Sequence, residues 1–172
     1  NGSEPRYGTC HVYNTIYKPL VDRVGALLIL LVLTPVLVVV GCLLTVSLRG
    51  NPFFLQERGG FKSRPFWIIK FRTMTAEEDA NGDLKPDTDR LTPTGRVVRK
   101  LSLDELPQLW NVLKGDMSLI GPRPFIADYL CIYTERDRRR HETLPGITGW
   151  AQVNGRNSLS WKERFEYDIY YV

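Results

Sequence analysis

The chain is poor in the residues that build metal centres and covalent frameworks. Of its 172 residues, three are cysteine and two are histidine. Cys10, Cys42 and Cys131 are odd in number and far apart, so they suit neither a disulfide framework nor a metal-ligand cluster. His11 and His141 are also far apart, which argues against a structural zinc site. No Ser-His-Asp set is evident, and neither histidine sits near an obvious nucleophile. The phosphate-binding patterns G-x-x-x-x-G-K-[ST] and G-x-G-x-x-G are both missing, which disfavours an ordinary ATPase or dinucleotide enzyme. There is no internal repeat and no low-complexity tract. Neither sign of charge dominates: 23 Lys and Arg stand against 19 Asp and Glu, a net charge of +4. That balance favours an anionic partner such as phospholipid headgroups or a nucleotide. No nucleic-acid-binding module is recognisable, so nucleic acid is not expected as a partner.

What the chain does have is one long uncharged run, Val24–Val46. The length suits one domain, or one domain plus a membrane element. As a straight helix the run would reach about 34 Å, enough to cross a hydrocarbon core of about 30 Å. Two features count against a simple span. Pro35 falls at the midpoint, where it removes a hydrogen bond to Leu31 and kinks the helix. Thr34, just before it, can bond back to the carbonyl of Leu30 or Leu31. Cations also flank both ends: Lys18 and Arg23 before the run, Arg49, Arg58, Lys62 and Arg64 after it. There is thus no positive-inside asymmetry to orient a span. If both ends stay on one side, each arm reaches roughly 16 Å, about one leaflet. From the residues alone, spanning and re-entrant readings both stand.

The rest reads coarsely as follows. Phe53–Gln56 and Phe66–Met74, separated by ERGGFKSRP, predict a short β-hairpin. On its second strand Lys70 and Arg72 share a face, where two cations can grip one phosphate group. The polar stretch Thr75–Thr94 predicts a loop or a short helix plus loop. Leu106, Leu109, Trp110 and Leu113 follow helical spacing, and Gly115 suits a stop. Ile126, Tyr129, Leu130 and Tyr133 repeat the pattern on a second predicted helix, which runs into ERDRRRHE with i,i+4 pairs Glu135/Arg139 and Arg138/Glu142. That charge run reads as a solvated face, with contact to anionic headgroups as the competing reading. Pro145–Asn157 is glycine-rich and reads as a loop; loops of this kind can make anion sites, so Arg156 is a candidate ligand-binding residue. Trp161–Tyr171 suits either a membrane–water interface or a core helix.

Leu101–Pro124, LSLDELPQLWNVLKGDMSLIGPRP, carries the chemistry. Adjacent carboxylates, Asp104 and Glu105, stand at the start of a helix. Arg96, Arg99 and Lys100 lie upstream, and Arg123 follows in a proline-flanked loop. Cations neutralise phosphate oxygens, and a carboxylate beside them can attack phosphorus or hold a metal. The competing reading is structural: Ser102 and Glu105 have capping-box spacing, which would leave Asp104 only to complement the helix dipole. Pro107 counts against it, because a helix capped at Ser102 would use the N–H that proline lacks.

Three motifs in order, KFRTM (Lys70–Met74), Leu101–Pro124 and PGITGWAQVNGRN (Pro145–Asn157), closely resemble those of the bacterial monotopic phosphoglycosyl transferases, also called bacterial sugar transferases. The resemblance covers about Ile16–Val172. It implies transfer of a phospho-sugar from a UDP-sugar to polyprenyl (undecaprenyl) phosphate with release of UMP, the first membrane step of glycoconjugate assembly. It also implies a ping-pong course with Asp104 as nucleophile and Mg²⁺ ligand. Glu105 would be in support, with a role as base for the lipid phosphate. The same resemblance places Arg99 and Arg123 near substrate phosphate.

The fold class it implies is α+β and mainly helical. The expected parts are a re-entrant helix over 16–49 broken at Thr34-Pro35, a short β-hairpin, and a catalytic domain over 50–172 with interfacial helices. The site of action implied is the cytoplasmic face of the bacterial inner membrane, with anionic lipids and downstream glycosyltransferases as partners. Residues 1–15 are expected to be disordered or foreign to the native chain. A non-catalytic scaffold for glycan-assembly enzymes is the competing function, and the intact Asp104-Glu105 pair argues against it.

Overall fold

A computed structural model describes residues 13–155 and 158–172. Most of the expected leading segment, residues 1–12, lies outside them. A π-helical turn, Tyr13–Tyr17, runs into helix α1, Lys18–Leu48, with Pro35 in its interior. The Thr34 hydroxyl donates to the Leu30 carbonyl at 2.6 Å, the back-bond expected beside a helix proline. Arg49 ends the helix in the left-handed region, its N–H turned back to Thr45 and Val46.

One stripe of α1 is buried: Asp22 and Ala26 before the proline, Val40 and Leu44 after it. At 100° per residue these four fall within about 40° of one another. Ala26 joins Ile68, Leu109, Val112 and Met117 in one core cluster; Val40 and Leu44 join Phe71 and Val98 in another. The helix is therefore part of the domain's core along both arms. Its other face leaves Leu28, Leu31, Val32, Val39 and Val46 exposed. An apolar surface of that length is suited to lipid rather than water.

The hairpin forms as expected, with shifted limits. Strand β1, Phe53–Gly59, pairs antiparallel with β2, Pro65–Phe71, in a register from Phe53↔Phe71 to Gly59↔Pro65. The polar stretch after it is mostly irregular, with a helical turn at Asp87–Arg90. Helix α2, Pro93–Lys100, was not expected; Thr92 caps it by accepting from Gly95 N–H at 2.9 Å, and Pro93 fills the first turn.

The helix expected around Leu106 divides in two. Leu103–Gln108 is 3₁₀, and α-helical geometry begins only in α3, Leu109–Lys114. Pro107 explains the division, since it lacks the N–H that an α-turn would use. Leu109 is buried and Gly115, at φ +88°, closes the helix, but Trp110 is exposed rather than packed.

The second expected helix is absent. A 3₁₀ turn, Ala127–Cys131, is followed by Glu135–Arg138, capped anew by Thr134 and Asp137, and by Arg139–Glu142. That fresh cap breaks the run, so the expected i,i+4 pairs give way to Arg139–Glu142 and Arg136–Glu166. Nor is the charge run a uniformly solvated face, because Arg140 and His141 are buried.

The glycine-rich segment is more than a loop. Gly146–Thr148 forms β4, parallel to β3, Ser118–Ile120, and Trp150–Val153 makes a helical turn. The backbones here nearly touch: a Cβ on Gly146 would lie 2.1 Å from the Gly121 nitrogen, so only glycine fits. Helix α4, Trp161–Tyr171, begins at a capping box of Ser160 and Glu163. Its Phe165 packs edge-on against Phe125 and Tyr133, while Trp161 and Tyr170 on the same helix are exposed.

Candidate active site

Four elements converge on Glu105. The β-register puts Arg58 and Lys70 on one face of the hairpin with Ile68, whose side chain anchors that face in the core. The 3₁₀ turn presents Asp104 and Glu105, both half-buried. Ser102 enters it in the left-handed region, φ +56°, and makes no side-chain cap. Glu105 instead reaches across to Arg123 through paired contacts, Nη1 to Oε2 at 3.0 Å and Nη2 to Oε1. Lys70 Nζ donates to Oε1 at 3.1 Å. The capping-box reading of this pair is thereby replaced by an ion-pair network.

The two carboxylates are driven apart electrostatically. Burial pushes Glu105 up, but hydrogen bonds and charge from Arg123, with Lys70, outweigh it and hold the group at about 2. Asp104 goes the other way: burial and the adjacent Glu105 charge raise it, and Lys70 and Arg99 pull back only in part. A Glu105 held at about 2 is a poor proton acceptor near neutral pH, while Asp104 becomes the more basic of the pair. Burial lowers Lys70, and Glu105 opposes that. Burial and the nearby Arg123 charge also lower Arg58.

The loop that carries Arg123 is tied down at successive carbonyls. Pro122 accepts from Gly146 N–H at 2.9 Å, Arg123 from Arg140 at 2.6 Å, Pro124 from Arg58 at 3.4 Å, and Phe125 from Gly59 N–H at 3.0 Å. A guanidinium on so constrained a backbone is aimed before any ligand arrives.

The other expected residues are placed as follows. Arg99 lies close enough to act on Asp104, and its Nη2 meets the Met74 sulfur at 3.1 Å. Arg72 does not share a strand face with Lys70, because β2 ends at Phe71; it lines a separate groove with Asn51, Phe53 and Phe54. Arg156 lies outside the described residues. Arg58 was missed as a site residue, although the hairpin register with Lys70 could have found it. Arg140, buried in the charge run, gave no local signal.

Among the described residues no group of three or more His, Cys, Asp and Glu forms a metal cage. Of the two carboxylates at the site, Glu105 is tied to Lys70 and Arg123 by ion pairs, which leaves Asp104 as the hard oxygen ligand there and fits an ion such as Mg²⁺ that takes one carboxylate and otherwise substrate oxygens and water. Beside Glu105 opens a groove of about 540 Å³, walled by Leu106, Leu119, Ile147 and Val153 and reaching Ile29 of α1. Chemically, the site joins a basic carboxylate, an excess of cations and an apolar channel from the exposed helix.

The sequence profile of the bacterial sugar transferases matches residues 13–172. The uncharacterized sugar transferase EpsL of Bacillus subtilis is 52% identical over 157 residues, which cover 91% of this chain and 78% of that protein. A UDP-glucose:undecaprenyl-phosphate glucose-1-phosphate transferase of Xanthomonas campestris is 37% identical over 171 residues, 93% of this chain but 35% of that protein. A UDP-N-acetylgalactosamine-undecaprenyl-phosphate N-acetylgalactosaminephosphotransferase of Aeromonas hydrophila is 38% identical over 162 residues, 88% and 38% of the two chains. The chain thus spans little more than a third of these last two relatives.

Proposed function

The chain belongs to the bacterial sugar transferase family, and on that footing we propose that it transfers a phospho-sugar from a UDP-sugar to polyprenyl phosphate at the cytoplasmic face of the inner membrane. The observation that carries this reading is the network in which Lys70 and Arg123 both engage Glu105 while Asp104 stands next to it on the same turn. Four cations, Arg58, Lys70, Arg99 and Arg123, face two carboxylates, a surplus that a diphosphate complements. In the first half-reaction an Asp104 oxygen attacks the sugar-bearing phosphorus. The bond to the UMP oxygen breaks, and UMP leaves with the electron pair. In the second, a polyprenyl phosphate oxygen attacks the same phosphorus and releases the Asp104 carboxylate. Arg123 and Lys70 hold phosphate oxygens while Glu105 keeps both cations in place. Asp104 would also hold Mg²⁺, which when bound neutralises charge on the diphosphate. The apolar groove beside Glu105 suits the first isoprene units of the acceptor.

Because the named relatives differ in donor, glucose in one and N-acetylgalactosamine in the other, the test is a panel of UDP-sugars with polyprenyl phosphate. UMP should appear with one of them, stop on addition of EDTA, and resume with Mg²⁺. A scaffold would release none. Full activity after rigorous metal removal would sink the metal assignment alone.

The same reading makes α1 re-entrant. Its first arm is tied to the domain by the Asp22–Ser118 hydrogen bond at 2.7 Å and by Ala26, its second by Val40 and Leu44. A straight crossing would drag one side of a polar domain into hydrocarbon, where unpaired polar groups cost several kcal/mol each, about 2–7. In a cysteine-free background, single cysteines at Tyr17 and Asn51 should both react with an impermeant reagent from the cytoplasm. Labelling from opposite sides would make the helix a span.

A further inference from the structure

Arg140 is the most buried cation among the described residues, 2% exposed, yet the reaction proposed above does not use it. Its Nη2 donates to Asp168 Oδ2 and to the Arg123 carbonyl, each at 2.6 Å. Its Nη1 reaches the Tyr133 hydroxyl at 3.4 Å. The guanidinium carbon lies 4.1 Å from the Phe125 ring centre and 5.1 Å from that of Phe165. Asp168, 3% exposed, comes from the last helix, α4. A buried ion pair by itself adds little stability over well-packed apolar residues. A different return is visible here. The pair ends on the backbone oxygen of Arg123, whose side chain grips Glu105.

We propose that Arg140 and Asp168 are positioning residues: a buried clamp from α4 that fixes the Arg123 peptide and so aims its guanidinium at Glu105 and the substrate phosphate. The inference rests on the phosphoglycosyl transfer proposed above. Asp168 and the Arg123 carbonyl share the one Nη2, while the Phe125 and Phe165 rings lie against the guanidinium and set its plane. Lysine keeps a charge near Asp168, but its chain is one bond shorter than the path to Nη2 and it has no plane to lie against the two rings, so it does not hold both acceptors from that position. Seating of α4 is thereby linked to the site, although no residue of α4 touches Glu105 through a hydrogen bond or ion pair among the described residues.

The test is a double-mutant cycle on kcat/KM between positions 140 and 123, in membranes, with the thermal midpoint of each variant. Arg140→Lys keeps a cation for Asp168. The paired change Arg140→Met with Asp168→Leu removes both charges together, so no lone buried charge is left. Each should keep a thermal midpoint near that of the parent protein and lose about tenfold in kcat/KM, as for one hydrogen bond to a charged group. In an Arg123→Lys background the same changes should add less than about twofold, because the residue they aim is already altered. A purely structural role predicts losses that simply multiply, tracking the fraction folded; that result, or near-parental kcat/KM in the Arg140 variants, overturns the clamp. If the paired variant fails to fold, the Arg140→Lys arm decides. Near-parental kcat/KM in Arg123→Lys alone would instead count against the phosphate-holding role of Arg123, a failure distinguishable from that of the clamp.

Discussion

Replacing Asp104 with asparagine should abolish turnover, with a loss on the order of 10⁴-fold, as for removal of a covalent nucleophile. The change keeps the size of the side chain and removes its charge. Protein incubated with UDP-sugar alone should carry one phospho-sugar, and peptide mass spectrometry should find it on Asp104. The Asn variant should carry none and release no UMP. A label on Glu105, or UMP release without any covalent species, would reverse the assignment. The pH dependence gives an independent check. Burial and the Glu105 charge raise Asp104, so the nucleophile is lost as pH falls through a value higher than its ordinary one. Glu105, held at about 2, stays ionised throughout that window. The acid limb of kcat/KM should therefore be a single ionisation belonging to Asp104.

Much of this was legible in the chain because the signals were local. An uncharged run marked α1, and Thr34-Pro35 marked the back-bonded proline turn found there. Apolar and aromatic runs on either side of a turn-rich segment marked the hairpin. The Asp104-Glu105 pair and Arg123 stood out by type and spacing, and Glu105 does meet Arg123. What failed to show depends on distant partners. Arg140 looks like any cation in ERDRRRHE until Phe125, Phe165 and Asp168 close around it. The β3–β4 pairing joins segments that periodicity cannot connect, through glycines whose need is a backbone from elsewhere. The capping box at Ser102 had the right letters, yet Arg123 and Lys70 offer Glu105 charge-assisted bonds that a neutral backbone N–H does not match.

Glu105→Gln should produce a different failure, in stability and in pH response together. The folded-state value of Glu105 is depressed from 4.5 to about 2. Its contribution is thus fully present above about 4.5 and is lost as pH falls from there toward 2. At pH 7 the variant should be less stable by on the order of 2–3 kcal/mol, a midpoint lowered by roughly 5–10 °C. The gap should narrow below pH 4.5, where the parent carboxylate is itself being protonated. Activity should fall because Arg123 and Lys70 lose the anion that holds them. The remaining activity should shift to lower pH on both limbs. Without its charged neighbour Asp104 ionises more readily, and without its counter-ion Lys70 loses its proton more readily. A role for Glu105 as base toward the lipid phosphate predicts another pattern. The aspartyl species would form at the normal rate and accumulate, with only the second half-reaction impaired. A carboxylate held at about 2 is too weak a base for that task near neutral pH, so both half-reactions should slow together. Accumulation of the covalent species in Glu105→Gln, at parental stability, would give the residue the base role and take the anchoring role away.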